Sequence, residues 1–180
     1  MRPGTQAVVR SVAATVALPG DGRPSTQRVE VHVGAGARLA WLPEPLVAAA
    51  GSDHTAVATA HLAADAQLVW LDEVVLGRHG EPAGALTSTL RIERHTPDGP
   101  VALLHHGLDT RLPGWSSAPV TAGHRVSALC AVVGVPLRSP RPVPAVAVAT
   151  SQLATDVTAL VALAPDHASL RLALADLDRR

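Results

Sequence analysis

The side chains of this chain that could do chemistry are nine histidines, one cysteine and one dense polar segment, Asp72-Glu73-Val74-Val75-Leu76-Gly77-Arg78-His79-Gly80-Glu81. In that segment two carboxylates follow an apolar stretch ending at Trp70-Leu71, and a Gly-Arg-x-Gly-Glu element leads into the next. One reading is a charged hairpin whose Arg78 pairs with a local carboxylate. The other is a carboxylate cluster at a partner surface or on a metal route, since oxygen and imidazole donors hold first-row divalent ions weakly and exchangeably. The residues alone leave both open.

The histidines offer no recognisable chelate. His105 and His106 are neighbours on an expected strand and so point to opposite faces. His54 and His61 are seven apart and differ in parity. Neither His-Glu-x-x-His nor Cys-x-x-Cys occurs, so the imidazoles are expected to be scattered, on the surface or partly buried. Cys130 sits alone in an apolar run and is expected to be a small buried hydrophobe. Gly34-Ala35-Gly36 lacks the strand-to-helix context of a phosphate loop and reads as a bulge. No Gly-x-Ser-x-Gly elbow is present, and Ser116-Ser117 beside Trp115 reads as loop. A hydrolase with a His106 or His124 base stays open as a second class of function. It requires one of those imidazoles near a serine hydroxyl and a carboxylate in one pocket. A generic β-rich interaction module is a third.

These residues must be positioned by strands, because period-two alternation dominates. Val29, Val31, Val33, Ala35, Ala37, Leu39 and Trp41 share one parity, with Glu30, His32 and Arg38 between them. That predicts one long strand, bent at the two glycines. From Thr55 to Leu71 the even positions are Ala56, Ala58, Ala60, Leu62, Ala64, Ala66, Leu68 and Trp70, and Asp65 marks a turn between two strands. Arg10 to Leu18 predicts an earlier strand. Leu86 to Arg94 and Val101 to Leu108 predict a hairpin closed by Thr96-Pro97-Asp98-Gly99-Pro100. Three more strands are expected near 125–135, 143–150 and 157–163. Ala168 to Asp178 carries Leu170, Leu174 and Leu177 at helical spacing before Arg179-Arg180, favourable at a helix C-terminus. The fold class is therefore mainly β, with few helices and one short C-terminal helix. No fixed-period repeat stands out.

Composition sets the outer bounds. At 180 residues the chain reads as a single domain. Fifteen basic residues, all arginine, balance fifteen acidic ones, which gives no electrostatic footprint for nucleic acid or an anionic membrane. With no Phe or Tyr and three Trp, the interior must rest on Ala, Val and Leu, implying thin, closely approaching layers. No apolar leader opens the chain, and its longest apolar run, about Val126 to Leu137, is too short to span a bilayer. A reducing, cytoplasmic setting fits the lone cysteine.

The ordered features also resemble a known family. Arg10-Ser11-Val12-Ala13-Ala14-Thr15-Val16-Ala17-Leu18-Pro19-Gly20, then Trp41-Leu42-Pro43-Glu44-Pro45, Asp72-Glu73, Leu76-Gly77-Arg78, Gly80-Glu81 and the turn at Asp98-Gly99-Pro100 are similar to the urease accessory protein D family (UreD, or UreH). The likeness is to its short actinobacterial form, over about residues 10–110. It implies a β-helix-like or sandwich-like body of stacked strands with no catalysis of its own. It also implies a cytoplasmic scaffold that binds urease apoprotein and UreF, meets UreG through UreF, and passes Ni²⁺ transiently, with no tightly bound cofactor. Asp72, Glu73 and Glu81 match the family's acidic pattern and are the implied nickel-path residues; Glu44 is expected to be structural. Arg78 and Trp115 are the expected partner contacts. Family members usually begin with further strands, so the chain is expected to start inside the family's domain, leaving sheet unpaired at that edge.

Overall fold

Most of the alternating segments form strands. In order these are β1 (Gln6–Val9), β2 (Thr15–Ala17), β3 (Ser25–Val33), β4 (Arg38–Trp41), β5 (Leu46–Ala48), β6 (Asp53–Leu62), β7 (Gln67–Leu76), β8 (Ala85–Thr96) and β9 (Gly99–Asp109). After a short helix α1 (Ala118–Thr121) come β10 (Val126–Val133), β11 (Ala147–Ala154), β12 (Val157–Ala164) and helix α2 (His167–Leu174). The computed structural model describes residues 1–177. The Arg179-Arg180 ending expected for the last helix lies outside the described residues. The molecule is mainly β and built of stacked sheets, as its alternation predicts.

Two sheets share these strands. In the first, β1, β4 and β7 lie parallel, and β10, β12 and β11 extend the sheet antiparallel. β2 and β5 stack in parallel on the far end of β7. In the second, β3, β6 and β8 are parallel and β9 folds back on β8. The chain crosses between the sheets on each coil, so distant residues lie directly over one another. Thr15 pairs with Leu46 and Leu46 with Val74, steps of 31 and 28 residues. Ser25 pairs with His54 and Asp53 with Ala85, steps of 29 and 32.

Several boundaries differ from the sequence reading, each for a local reason. The expected strand from Val29 to Trp41 is two strands in different sheets, and Gly34-Ala35-Gly36 is the corner between them, not a bulge. Gly36 adopts φ +63°, and its N–H donates to Asp65 Oδ1 at 2.9 Å. Asp65 does mark the turn between β6 and β7. The expected strand over Arg10–Leu18 survives only as β2, because residues 10–14 find no strand to pair with and Val12 is fully exposed. Finally, β7 runs past Trp70-Leu71 through both Asp72 and Glu73.

The core has two layers. Between the sheets lie Val33, Ala58, Ala60, Leu62, Leu68, Trp70, Leu90, Ile92 and Ala131, with Trp70 stacked on Trp41 at 5.1 Å. Alanine keeps many inward positions small, and the stacked tryptophans supply aromatic bulk between the sheets. On the other face of the first sheet, Leu71, Ala128, Cys130, Leu160 and Ala162 pack under Leu170 and Leu174 of α2. Asp166 caps that helix, accepting the Ser169 N–H at 2.7 Å. β10 and β12 are thus buried on both faces, which is why their sequences are almost continuously apolar. An ion pair from Arg94 of β8 to Asp156, in the β11–β12 turn, ties the two sheets at one end (2.6 Å).

Gly77 closes β7 with φ +82°, and a Cβ there would come within 2.5 Å of Pro82 O and 2.7 Å of Glu81 O. Gly77→Ala is therefore expected to lower stability by more than about 2 kcal/mol, read as a fall in the urea unfolding midpoint at unchanged slope.

Candidate functional site

Neighbouring residues of a strand face opposite sides, so Asp72 and Glu73 diverge from the same point of β7. Asp72 shares the parity of Trp70 and turns between the sheets. There it lines a cavity of about 80 Å³ with Glu44, Trp41, Trp70, Val29, Ser88 and Thr89, enough for several waters. Protein surrounds the carboxyl on nearly all sides, and the accessible surface it keeps opens onto that cavity. Burial pushes its pKa up to about 6. The Trp70 indole N–H favours the charged form and opposes part of that rise, yet it completes no hydrogen bond of good geometry.

Glu73 shares the parity of Leu71 and lies under α2, its side chain fully enclosed. Oε2 faces His167 Nε2 at 3.0 Å and Arg171 at 3.9 Å, two residues one turn apart on α2. Oε1 is buried without a partner. Beside it a second cavity, about 190 Å³, is lined by Arg10, Leu42, Cys130, Arg171 and Leu174. Burial pushes the Cys130 thiol up to about 12, so it is an inert core group, as its apolar context predicts.

Glu81 lies elsewhere, in the loop after β7. Arg78 holds both its oxygens, at 2.6 and 2.9 Å, and the Ala50 N–H reaches Oε2 at 3.4 Å. The hydrogen bond between them holds the Glu81 carboxyl below, and the Arg78 guanidinium above, its ordinary value. The local ion pair expected of a charged hairpin is therefore formed. The loop's shape is set by Arg125, whose guanidinium donates to the carbonyls of Leu76 and Arg78, each at 3.0 Å, and of Glu81. Nothing in the sequence marked Arg125, because its partners are backbone atoms some 45 residues away. Trp115, Glu81, Ser116, His124 and Arg125 border one surface depression of about 420 Å³. The carboxylates of Asp72, Glu73 and Glu81 are thus not gathered around one point, although Glu73 also borders the Asp72 cavity.

The hydrolase geometry does not form among the described residues. His124 shares the depression with Ser116 and Glu81, but no hydrogen bond joins it to either, and Arg78 occupies the carboxylate. His106 stands opposite Leu90 on β9 with no hydroxyl partner, and burial, then the charge of His105, lowers its pKa.

Two features escaped the sequence reading. Glu44, taken as a purely structural residue of a proline turn, lines the Asp72 cavity. And the histidines are not all scattered: His32, His61 and His95 meet on the outer face of the second sheet with Glu30 and Glu93. Stacking brings them together, since His32 pairs with His61 and His61 with Glu93, 29 and 32 residues further along.

The family model described as UreD urease accessory protein matches residues 1–179. The chain belongs to the UreD urease accessory protein family. It is 40% identical over 196 residues to the urease accessory protein UreD of Parafrankia sp., covering 97% of this chain and 66% of that protein. It is 41% identical over 126 residues to urease accessory protein UreD 3 of Streptomyces griseus subsp. griseus, covering 68% and 48%. The Streptomyces coelicolor UreD is 38% identical over 185 residues, covering 97% and 72%. The chain thus spans between about half and three quarters of the length of these relatives.

Because Asp72 ionises at about pH 6 when folded and near its ordinary value of 3.8 when unfolded, its charge opposes folding at higher pH. The favourable contribution of its neutral form is complete below about pH 4 and is lost as pH rises through 6. Asp72→Asn is expected to gain roughly 2–3 kcal/mol at pH 8 and almost nothing at pH 4. Denaturant titrations of both proteins at the two pH values check this.

Proposed function

We propose that the chain is a non-catalytic scaffold of urease maturation that handles Ni²⁺ as cargo. In this reading it binds urease apoprotein and UreF, meets UreG through UreF, and works in the cytoplasm without nucleic-acid or membrane partners. No helix among the described residues is long and apolar enough to cross a membrane. The observation that carries the reading, within a family named for urease accessory proteins, is the enclosed Asp72 carboxyl facing a hydrated-size cavity between the sheets. A carboxyl whose burial raises its pKa to about 6 is costly to keep ionised, and its cost falls when a cation replaces the proton. Asp72 is accordingly the first proposed nickel-path residue.

Glu73 is the second, because its Oε1 has no partner beside the cavity under α2. Glu81 is the third, at the protein surface, where its pairing with Arg78 must open before it meets an ion. Trp115 and Arg78 are proposed as partner contacts around the depression that Glu81 borders. Trp115 is a half-buried aromatic at a loop surface, the residue type enriched where proteins meet.

The test is co-expression with tagged UreF, UreG and urease subunits, followed by pull-down and urease assay with added nickel. Copurification of this chain, with activity that disappears when it is omitted, is the expected outcome. Asp72→Asn is expected to copurify normally yet lower activation by at least about tenfold, a loss that cannot be assigned to instability if the variant is the more stable protein. A folded chain that neither copurifies nor alters activity would sink the proposal.

A further inference from the structure

The outer face of the second sheet carries a group of side chains that the fold does not need. Glu30 and His32 project from β3, His61 from β6, and Glu93 and His95 from β8. Side chains two apart on a strand share a face, and paired residues of neighbouring strands sit about 5 Å apart. Glu30, His32 and the residue beneath His32 are therefore placed together by backbone pairing alone. His32 and His61 stack, with ring centroids 4.5 Å apart and planes 12° apart. Glu30 Oε1 lies 3.1 Å from His32 Nε2 and 3.5 Å from His61 Nε2. Donors bound at about 2.1 Å to one tetrahedral ion stand roughly 3–3.5 Å apart, so the carboxylate is already at chelating distance from both imidazoles. The exposed His32 ring has to turn out of the stack for both imidazoles to present lone pairs to one ion.

We infer that Glu30, His32 and His61 form a surface site for one borderline divalent transition-metal ion, with Glu93 as the carboxylate that orients His61. This inference does not depend on the function proposed above. His61 Nδ1 is 2.8 Å from Glu93 Oε1, and Arg91 Nε holds the other Glu93 oxygen at 3.2 Å. Donating Nδ1–H to Glu93 leaves the His61 lone pair on Nε2, the nitrogen 3.5 Å from Glu30 Oε1, the usual arrangement behind a metal-bound imidazole. Two nitrogens and one oxygen select nickel, zinc, cobalt or copper over magnesium or calcium, which demand oxygen. With His32 and Glu30 side chains 68% and 56% exposed, water completes the coordination and the ion exchanges readily.

A second set, His61 Nδ1, His95 Nε2 and Glu93 Oε1, lies on the other side of the same imidazole, with the two nitrogens 3.3 Å apart. A neutral imidazole has one lone pair, so His61 cannot serve both sets at once. Loading one makes His61 a hydrogen-bond donor to the carboxylate of the other. The cluster therefore holds one ion, not two. The first set is the one filled, because Glu93 is the less exposed carboxylate and is already anchored by Arg91.

The experiment is calorimetric titration of the untagged protein with NiCl₂ in a weakly coordinating buffer, MgCl₂ serving as control. One Ni²⁺ per chain at micromolar affinity is expected at this site, with no binding of Mg²⁺. His32→Ala and His61→Asn are each expected to weaken that binding by at least about tenfold, Glu93→Gln by about tenfold, and His95→Ala by less than about twofold. His32 is a solvent-facing side chain on an edge strand, so its variant reports on the ion even if His61→Asn disturbs the sheet. Equal Ni²⁺ uptake by wild type and His32→Ala, or a loss with His95→Ala in place of His32→Ala, would overturn the assignment. Two ions lost together in His61→Asn would overturn the exclusivity. None of these outcomes bears on urease activation, which is read separately.

Discussion

Backbone hydrogen bonds between parallel strands that lie 28–32 residues apart in sequence hold β1 on β4 on β7 and β3 on β6 on β8. Parallel pairing needs a crossover between partners, and here the crossover is a strand of the opposite sheet. One device therefore builds both sheets at once and forces them to face each other at close range. Many of the inward positions are alanine: Ala37, Ala58, Ala60, Ala66, Ala131 and Ala159 are all buried there. Larger side chains at those positions would have to force the layers apart.

That same register distributes the polar chemistry. Along β7 the alternation sends Asp72 inward and Glu73 outward, so two adjacent carboxylates meet unlike environments. Asp72 is left facing a small cavity beside the stacked Trp41–Trp70 pair, where burial dominates its ionisation. Glu73 is matched by His167 and Arg171 once α2 is laid across the sheet. Across the second sheet the stacking lines up His32, His61 and Glu93 as three rungs of one column. Some inward rungs of the same strands are purely apolar, for example Val31, Ala60 and Ile92.

The first coil has neighbours on one side only. β1 pairs with β4, β2 with β5 and β3 with β6, and each leaves its other edge open among the described residues. Their burial reflects it, with Val8, Val9, Val16 and Leu18 all exposed. Unpaired parallel edge of this kind invites further backbone pairing. The antiparallel end is treated differently: β11 is an edge too, but a register shift near Gln152 and a run of small and polar side chains mark its outer side.

Sequence patterning determined most of the longer strands, since a period of two with β-branched and alanine residues on one parity admits no amphipathic helix, but not β1 or β5. It also placed the turns at Asp65 and Asp98-Gly99, the last helix and the buried cysteine. The ordered segments around Trp41, Asp72 and Gly80-Glu81 were enough to suggest the family. Which sheet each strand joins was decided only by tertiary structure. A strand pattern is the same on either side of a corner, so Val29–Trp41 read as one strand where two sheets meet. The cavity shared by Glu44 and Asp72 and the meeting of His32 with His61 and Glu93 lay hidden for a related reason. They depend on a coil length near thirty residues, which strong local signals do not carry and which only closure of successive coils on one another sets.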